Sequence, residues 1–462
     1  MDFSSYTDGF FEVNAKNGFL PKVAPLQKLP ATYAALQEVI DEMPIVKDDG
    51  TPGLLAIEGK IEAAVDQLPN YLAEVSKETD PVLLQALYRT YAFITSAYTL
   101  APAHFTFLKT GKYGKAYNRL PAQVAQPFVA VSEKMEVFPW LDYHYAYSLG
   151  NYNKIDPQGG FNWENLGMCA KFSGMPDERG FIMLHVDINQ HSPKLIGGIE
   201  KTLQADNTDG IAEGLAQVHE AAKAANERRK LMWEASRWKH YNDFRVFIMG
   251  IKGNDDIFGE GLVYEGVSEE HRQYRGQTGA QDNIIPTLDI FSGIISFYPE
   301  NELTQYLLDL RQYRPVCIQR FLEDLRQYMI KNPLIENLAA ACHSTGMISL
   351  LGILDEVYAF RNGHWQFVQK YIMANTVYPK ATGGTPIISW IPNQLKAVLA
   401  TMKHGFANMP ADAPGFDREA WLDAYNRKEQ LLDKQLRVLH GEAYNPDEVF
   451  EMNAQFGLED NK

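Results

Sequence analysis

The chain has 462 residues, of which 45% are hydrophobic and 12% aromatic, and it carries a formal charge of −15. That much apolar material predicts a globular protein of two domains, or one large domain with a smaller one attached, and excludes a disordered chain. An acidic surface gains nothing from counterion release on a polyanion, so nucleic acid and anionic membrane are not expected partners and a small-molecule substrate is.

The start, MDFSSYTDGFFEVN, has no basic region followed by an apolar block, so no secretory signal is read there and a cytoplasmic protein is expected. Residues 31–43, 58–77 and 81–100 carry apolar residues at three- and four-residue spacing and predict an N-terminal helical region. Arg89 and other polar residues interrupt the apolar stretch 81–107 well short of a membrane span. From 140 to 180 the chain is rich in Gly, Asn, Pro and aromatics, which predicts a connecting or pocket-lining loop. A helix is predicted from Gly210 to Ser236 with Asp209 as its N-cap, then others over 302–332, interrupted at Pro315, and over 335–373. The segment FRVFIMGI at 244–251 reads equally as a strand or a buried helix. A last helix, Arg418 to Leu439, has charges that suit a solvated face and is expected to pack as an extra helix. Cys169, Cys317 and Cys342 form no CxxC pair and read as inert thiols. The class is mostly α.

The stretch RNGHWQFVQKYI, residues 361–372, sets a histidine on an apolar helical stripe. His364 lines up with Phe360, Phe367, Val368, Tyr371 and Ile372, so its imidazole points toward the buried side and needs a partner. A backbone carbonyl is one candidate. Gly363, at a cost to the helix of about 1 kcal/mol relative to alanine, suggests a flat or bulky group against the backbone. Arg361, three residues back, could reach a carboxylate at the edge of that group. A heme meets both demands, with an iron for the imidazole, an apolar face for Phe360 and Phe367, and propionates for the arginine. No HxxxH or HxxE spacing supports a metal held by protein ligands alone.

The stretch FRNGHWQFVQKYI, the loop ATGGTP at 381–386 and the segment GLVYEGVSEEHRQYRGQTGAQ at 261–281 resemble the indoleamine 2,3-dioxygenase family. So do FRVFIMGIKGN from 244, FPWLDYHYAYSLGNYNKIDP from 138 and LRQYRPVCIQRFL after 309, all in matching order over roughly residues 115–390. The resemblance implies a mostly helical heme b enzyme that inserts both atoms of dioxygen across the C2–C3 bond of an indole. The substrate would be tryptophan or a substituted indole, the product of the N-formylkynurenine type, and an electron donor would keep the iron ferrous. The chain is expected to divide into a small N-terminal helical domain (1–125), a helical heme-binding catalytic domain (126–400) and, beyond the resemblance, a C-terminal helical extension packed on it (401–462).

Carried over residue by residue, His364 looks like the proximal iron ligand, Arg361 a propionate partner and Asp289 a residue that orients this region through hydrogen bonds. Arg245 matches the arginine that clamps the substrate carboxylate, and Phe181 the aromatic residue beside the indole. The loop Thr382–Gly383–Gly384–Thr385 matches one that closes over the pocket, with Thr382 and Gly383 near the substrate. Gly276 to Ala280, with Gly279 and Ala280 at its end, matches the loop on the distal heme face. The departures are histidines. His185 stands where mammalian members carry serine, His144 replaces a pocket tyrosine, and His240 with Tyr241 replaces a phenylalanine pair. His185 resembles the distal histidine of tryptophan 2,3-dioxygenase, which takes the indole N–H, and all three histidines are expected on a more polar distal pocket. A mono-oxygenase or rearranging enzyme on a modified tryptophan, and a heme sensor without turnover, are the alternatives.

Overall fold

The computed structural model describes residues 1–298, 302–368 and 387–440. Helices dominate, and the strands are short. Arg119–Leu120 pairs parallel with Leu262–Tyr264, which pairs antiparallel with Ser268–Arg272, and Tyr152–Lys154 pairs antiparallel with Leu166–Met168. A large apolar core runs from Phe3 to Leu436, and Tyr306 and Leu310 form a small second cluster.

The apolar run after Asp80 becomes the helix Pro81–Thr110, buried on nearly all sides. Asp80 caps it, its carboxylate accepting from Val82 N at 3.0 Å, and Gly111 ends it in the left-handed conformation at φ 73°. The polar residues that break the run satisfy an irregular neighbour. Gln85 Nε2 donates to the carbonyls of Tyr145 and Gly150 at 2.6 and 2.8 Å, and Arg89 Nη1 donates to Gly150 at 2.8 Å. The expected loop from 140 to 180 is thus held by side chains of the helix beneath it. Within it, Asp142 accepts three backbone N–H groups and caps the turn Tyr143–Tyr147.

The helix expected to start at Asp209 is capped two residues earlier, at Asn207, whose Oδ1 accepts from Gly210 N at 2.9 Å. It runs Thr208–Arg229 and breaks before the short helix Met232–Ala235. FRVFIMGI resolves as helical, with the helix Asn242–Arg245 followed by the 3-10 turn Val246–Ile248, all of Phe244 to Met249 buried. Pro315 separates Glu302–Arg311 from Val316–Lys331 as its missing N–H requires. Leu334–Ala340 and Ser344–Val368 follow.

The last helix, Arg418–His440, packs on Ile387–Ala407, where Trp421 stacks on Phe406 at 4.4 Å. Leu432 and Leu436 are buried, and Lys428 pairs with Asp355 of the His364 helix at 2.8 Å. Among the described residues, no helix is long and apolar enough to cross a membrane.

Candidate functional site

Ser344–Val368 packs along Thr208–Arg229, and its last two turns form one wall of a cavity of about 580 Å³. Phe360, Arg361, Gly363, His364, Phe367 and Val368 face into it. The opposite wall is built by Phe181, His185 and Ile188 of the helix Pro176–Asn189, and by the loop from Gln277 to Asp282. Tyr241, Ile285 and Asp289 complete the part that concerns the chemistry.

The His364 side chain is exposed, and the surface it exposes is cavity wall rather than outer protein surface. Burial first, then Arg229, His185 and Arg361, pushes its pKa down to about 4, so the ring is neutral. It hydrogen-bonds no described residue, which removes the backbone carbonyl as its partner. Among the described residues no three His, Cys, Asp or Glu side chains gather to hold a metal. A lone neutral imidazole facing a large cavity suits a metal that brings its other ligands with it, as a heme iron does.

The surrounding residues fit that group. Arg361 is 4% exposed, and its Nη2 donates to Asp289 Oδ2 at 2.5 Å and to the Tyr298 hydroxyl at 2.6 Å. The Tyr298 hydroxyl donates to the same carboxylate oxygen at 2.8 Å. Arg361 Nε and Nη1 are buried without a partner among the described residues, an unmet demand for an acceptor that a propionate would meet. Phe360, Ile285, Phe367 and Val368 supply apolar surface for a macrocycle.

The flat group against Gly363 is a guanidinium. A Cβ on Gly363 would lie 2.2 Å from Arg229 Nη1 and 2.4 Å from its Cζ. Arg229 is held by Asn226, whose Oδ1 accepts from Nε at 2.8 Å, and its Cζ lies 5.6 Å from the centre of the Phe360 ring. Gly363→Ala is therefore expected to displace Arg229 from beside His364. Relief of the glycine penalty, about 1 kcal/mol, offsets the clash with a flexible side chain. Thermal unfolding should move little while the Soret band of the heme-loaded protein shifts; an unmoved Soret band would show that Arg229 does not act on that environment.

On the opposite wall His185 Nδ1 lies 2.9 Å from the Phe181 carbonyl. A carbonyl only accepts, so Nδ1 carries the proton and Nε2 is left as an acceptor. That nitrogen faces the turn Gly279–Gln281, 3.4 Å from where a Cβ on Gly279 would stand. Phe181 sits among aromatic rings, 5.3 Å from Tyr241, 5.7 Å from Phe244 and 6.1 Å from Phe367. Gly279 and Ala280 line the cavity, and Thr278 and Gln281 hold their turn through a capping box. Arg314 braces it from behind, donating to the carbonyls of Ala280 and Asp282 at 3.1 and 3.3 Å.

Three expected pocket residues stand elsewhere. His144 is fully buried behind the loop, its Nε2 3.1 Å from Asn283 Oδ1, and does not line the cavity. Burial pushes its pKa down to about 3, so it is a neutral brace for the loop. His240 is part-exposed and paired with Asp243 at 3.0 Å. Arg245 is fully buried and does not line the cavity, and its charge acts on the nearby phenols of Tyr113 and Tyr241. Of the three departing histidines, only His185 reaches the cavity, because His144 is taken by the distant Asn283 and His240 by the neighbouring Asp243. Thr382 and Gly383 lie outside the described residues.

Arg229, Tyr298 and Arg314 are cavity residues that motif reading passed over. Arg229 left a signal. It continues the stripe Ile211, Leu215, Val218, Ala222, Ala225 at four- and three-residue spacing, and a cation on an apolar stripe needs a reason.

The fold and site define a mostly helical protein with one large cavity whose apolar lining, imidazole and buried arginine suit a heme. The family model "Indoleamine 2,3-dioxygenase" matches residues 8–394, and the chain belongs to that family. It is 25% identical over 414 residues to indoleamine 2,3-dioxygenase 1 of Rattus norvegicus, covering 84% of this chain and 92% of that one. It is 25% identical over 420 residues to indoleamine 2,3-dioxygenase acdA of Aspergillus candidus, covering 85% and 96%. It is 23% identical over 380 residues to 6-hydroxytryptophan 2,3-dioxygenase fscD of Fusarium equiseti, covering 79% and 84%. The protein is a heme-dependent oxidoreductase that adds dioxygen to an indole, and the family placement favours this over the mono-oxygenase and sensor alternatives. The matched residues end at 394, before Arg418–His440.

Proposed function

We propose that this enzyme opens the indole ring of tryptophan or a ring-substituted tryptophan in the cytoplasm, with His364 as the iron ligand and the substrate between the heme and the Phe181–His185 wall. One observation carries the reading: a neutral imidazole that hydrogen-bonds no described residue and a histidine whose Nε2 is left as an acceptor line the same cavity of about 580 Å³. Bound heme supplies the activation of dioxygen, and an electron donor keeps it ferrous. The chain's own residues orient the substrate. Phe181 offers a ring to stack on, and His185 Nε2 accepts the indole N–H. Arg245 supplies the charge for the substrate carboxylate, either through the Tyr241 phenol it holds or by exchanging its phenols for that carboxylate. Thr382 and Gly383 belong to the loop assigned to closure over the substrate. A ring-substituted substrate is in keeping with a relative named for 6-hydroxytryptophan.

The test is to load the protein with heme, reduce it, add L-tryptophan or a hydroxytryptophan under isotopically labelled dioxygen, and weigh the product. Two labelled atoms in a ring-opened product are expected. One labelled atom would identify a mono-oxygenase, and a heme spectrum that no indole amino acid perturbs would identify a sensor.

A further inference from the structure

Beside His185 the cavity wall carries a carboxylate, Asp282. Its Oδ2 accepts from the Tyr143 hydroxyl at 2.8 Å and from Asn189 Nδ2 at 2.6 Å, and its Oδ1 accepts from Ile284 N at 2.9 Å. A carboxylate offers about four lone-pair sites, so three bonds leave one. The donors of Tyr143, Asn189 and Arg314 are already committed, while Gln281 Nε2 and Asn283 Nδ2 are buried without a partner among the described residues. The Tyr143 proton goes to Asp282, and Asn189 Nδ2 is shared between Asp282 and the His185 carbonyl at 2.9 Å. Arg314, which compensates the charge, donates to Asn283 Oδ1 and to the carbonyls of Leu310, Ala280 and Asp282. Asn189 Oδ1 adds a buried acceptor with no partner among the described residues.

Two acceptors therefore adjoin one aromatic ring. The His185 ring meets Tyr143 edge-on, with ring centres 5.7 Å apart, and Asp282 accepts from the Tyr143 hydroxyl. Plain tryptophan brings one ring donor, its pyrrole N–H, and would leave a buried carboxylate position facing an apolar C–H edge. A site built to accept from a substrate O–H discriminates strongly against the analogue that lacks it.

We propose that the Asp282–His185 wall selects an indole amino acid with a hydroxyl on its benzo ring, the pyrrole N–H donating to His185 Nε2 and the ring O–H to Asp282. This rests on the dioxygenase reading above. The test compares kcat/KM of the heme-loaded, reduced enzyme for L-tryptophan and for 4-, 5-, 6- and 7-hydroxy-L-tryptophan, with Soret titration of each. At least one hydroxy isomer is expected to exceed tryptophan by about tenfold or more, the worth of one hydrogen bond to a charged group. In Asp282→Asn that ratio should collapse toward one; in Tyr143→Phe, which returns a lone pair to the carboxylate, it should persist. A wild-type enzyme that turns over tryptophan as well as every hydroxy isomer overturns the proposal without any variant, as does an Asp282→Asn enzyme that keeps the ratio. Failure of all five compounds to be oxidised or to move the Soret band would instead overturn the dioxygenase reading.

Discussion

Replacing His364 with alanine is expected to abolish stable heme retention while leaving the apoprotein folded. The imidazole hydrogen-bonds no described residue and faces the cavity, so its removal breaks no internal contact and should change apoprotein stability by under about 1 kcal/mol. Its loss to the iron is of another order. Outer partners of a metal ligand are alone worth about 10–100-fold in affinity, and the ligand itself exceeds them. The measurements are the heme-to-protein ratio after gel filtration and the urea midpoint of the apoprotein. Near-wild-type heme content with an axial-histidine spectrum would pass the ligand role to His185, the only other histidine on the cavity wall among the described residues.

Much of this site could be read from sequence because its parts are local. The stripe carrying His364 and the arginine one turn earlier lie within a single helix, where spacing alone fixes which side chains share a face. His185 behaves likewise, since its tautomer is set by a carbonyl four residues back on its own helix. Features that join distant segments were hidden. Asp282 acquires its meaning from Tyr143 and Asn189, 139 and 93 residues away, and no pattern within the loop announces them. The same holds for His144. As a residue type it suits a pocket, but Asn283, 139 residues on, takes its ring and turns it into a support for the loop. Gly363 shows a right inference with the wrong object: a flat group does press on the helix, and it belongs to Arg229 of a neighbouring helix. Element ends slipped where capping chemistry competes, as at Asn207, which out-competes Asp209 because its side chain accepts from the N3 amide of Gly210.

The second large effect concerns Arg361 and Asp289. Burial raises the Asp289 carboxyl above the usual carboxylate range, and Arg361 is the main influence opposing it. Removing the arginine alone, as Arg361→Met, strands that carboxylate and is expected to cost about 3–5 kcal/mol of apoprotein stability. The loss has a ceiling, because a carboxyl freed from its cation rises further and takes up a proton, which Tyr298 can then accommodate. Replacing both partners, as Arg361→Met with Asp289→Leu, removes both charges and should restore most of the stability. Heme retention should not follow. The two Arg361 nitrogens that are buried without a described partner are absent from both variants, so heme should leave both faster than wild type even where the double variant is as stable. The decisive comparison is heme transfer to an excess of an apo-globin acceptor, set beside urea unfolding of the apoproteins. Rapid transfer from a stable double variant separates anchoring from folding and assigns Arg361 to the propionate; wild-type transfer rates in that variant would confine Arg361 to holding Asp289 and Tyr298 in the wall.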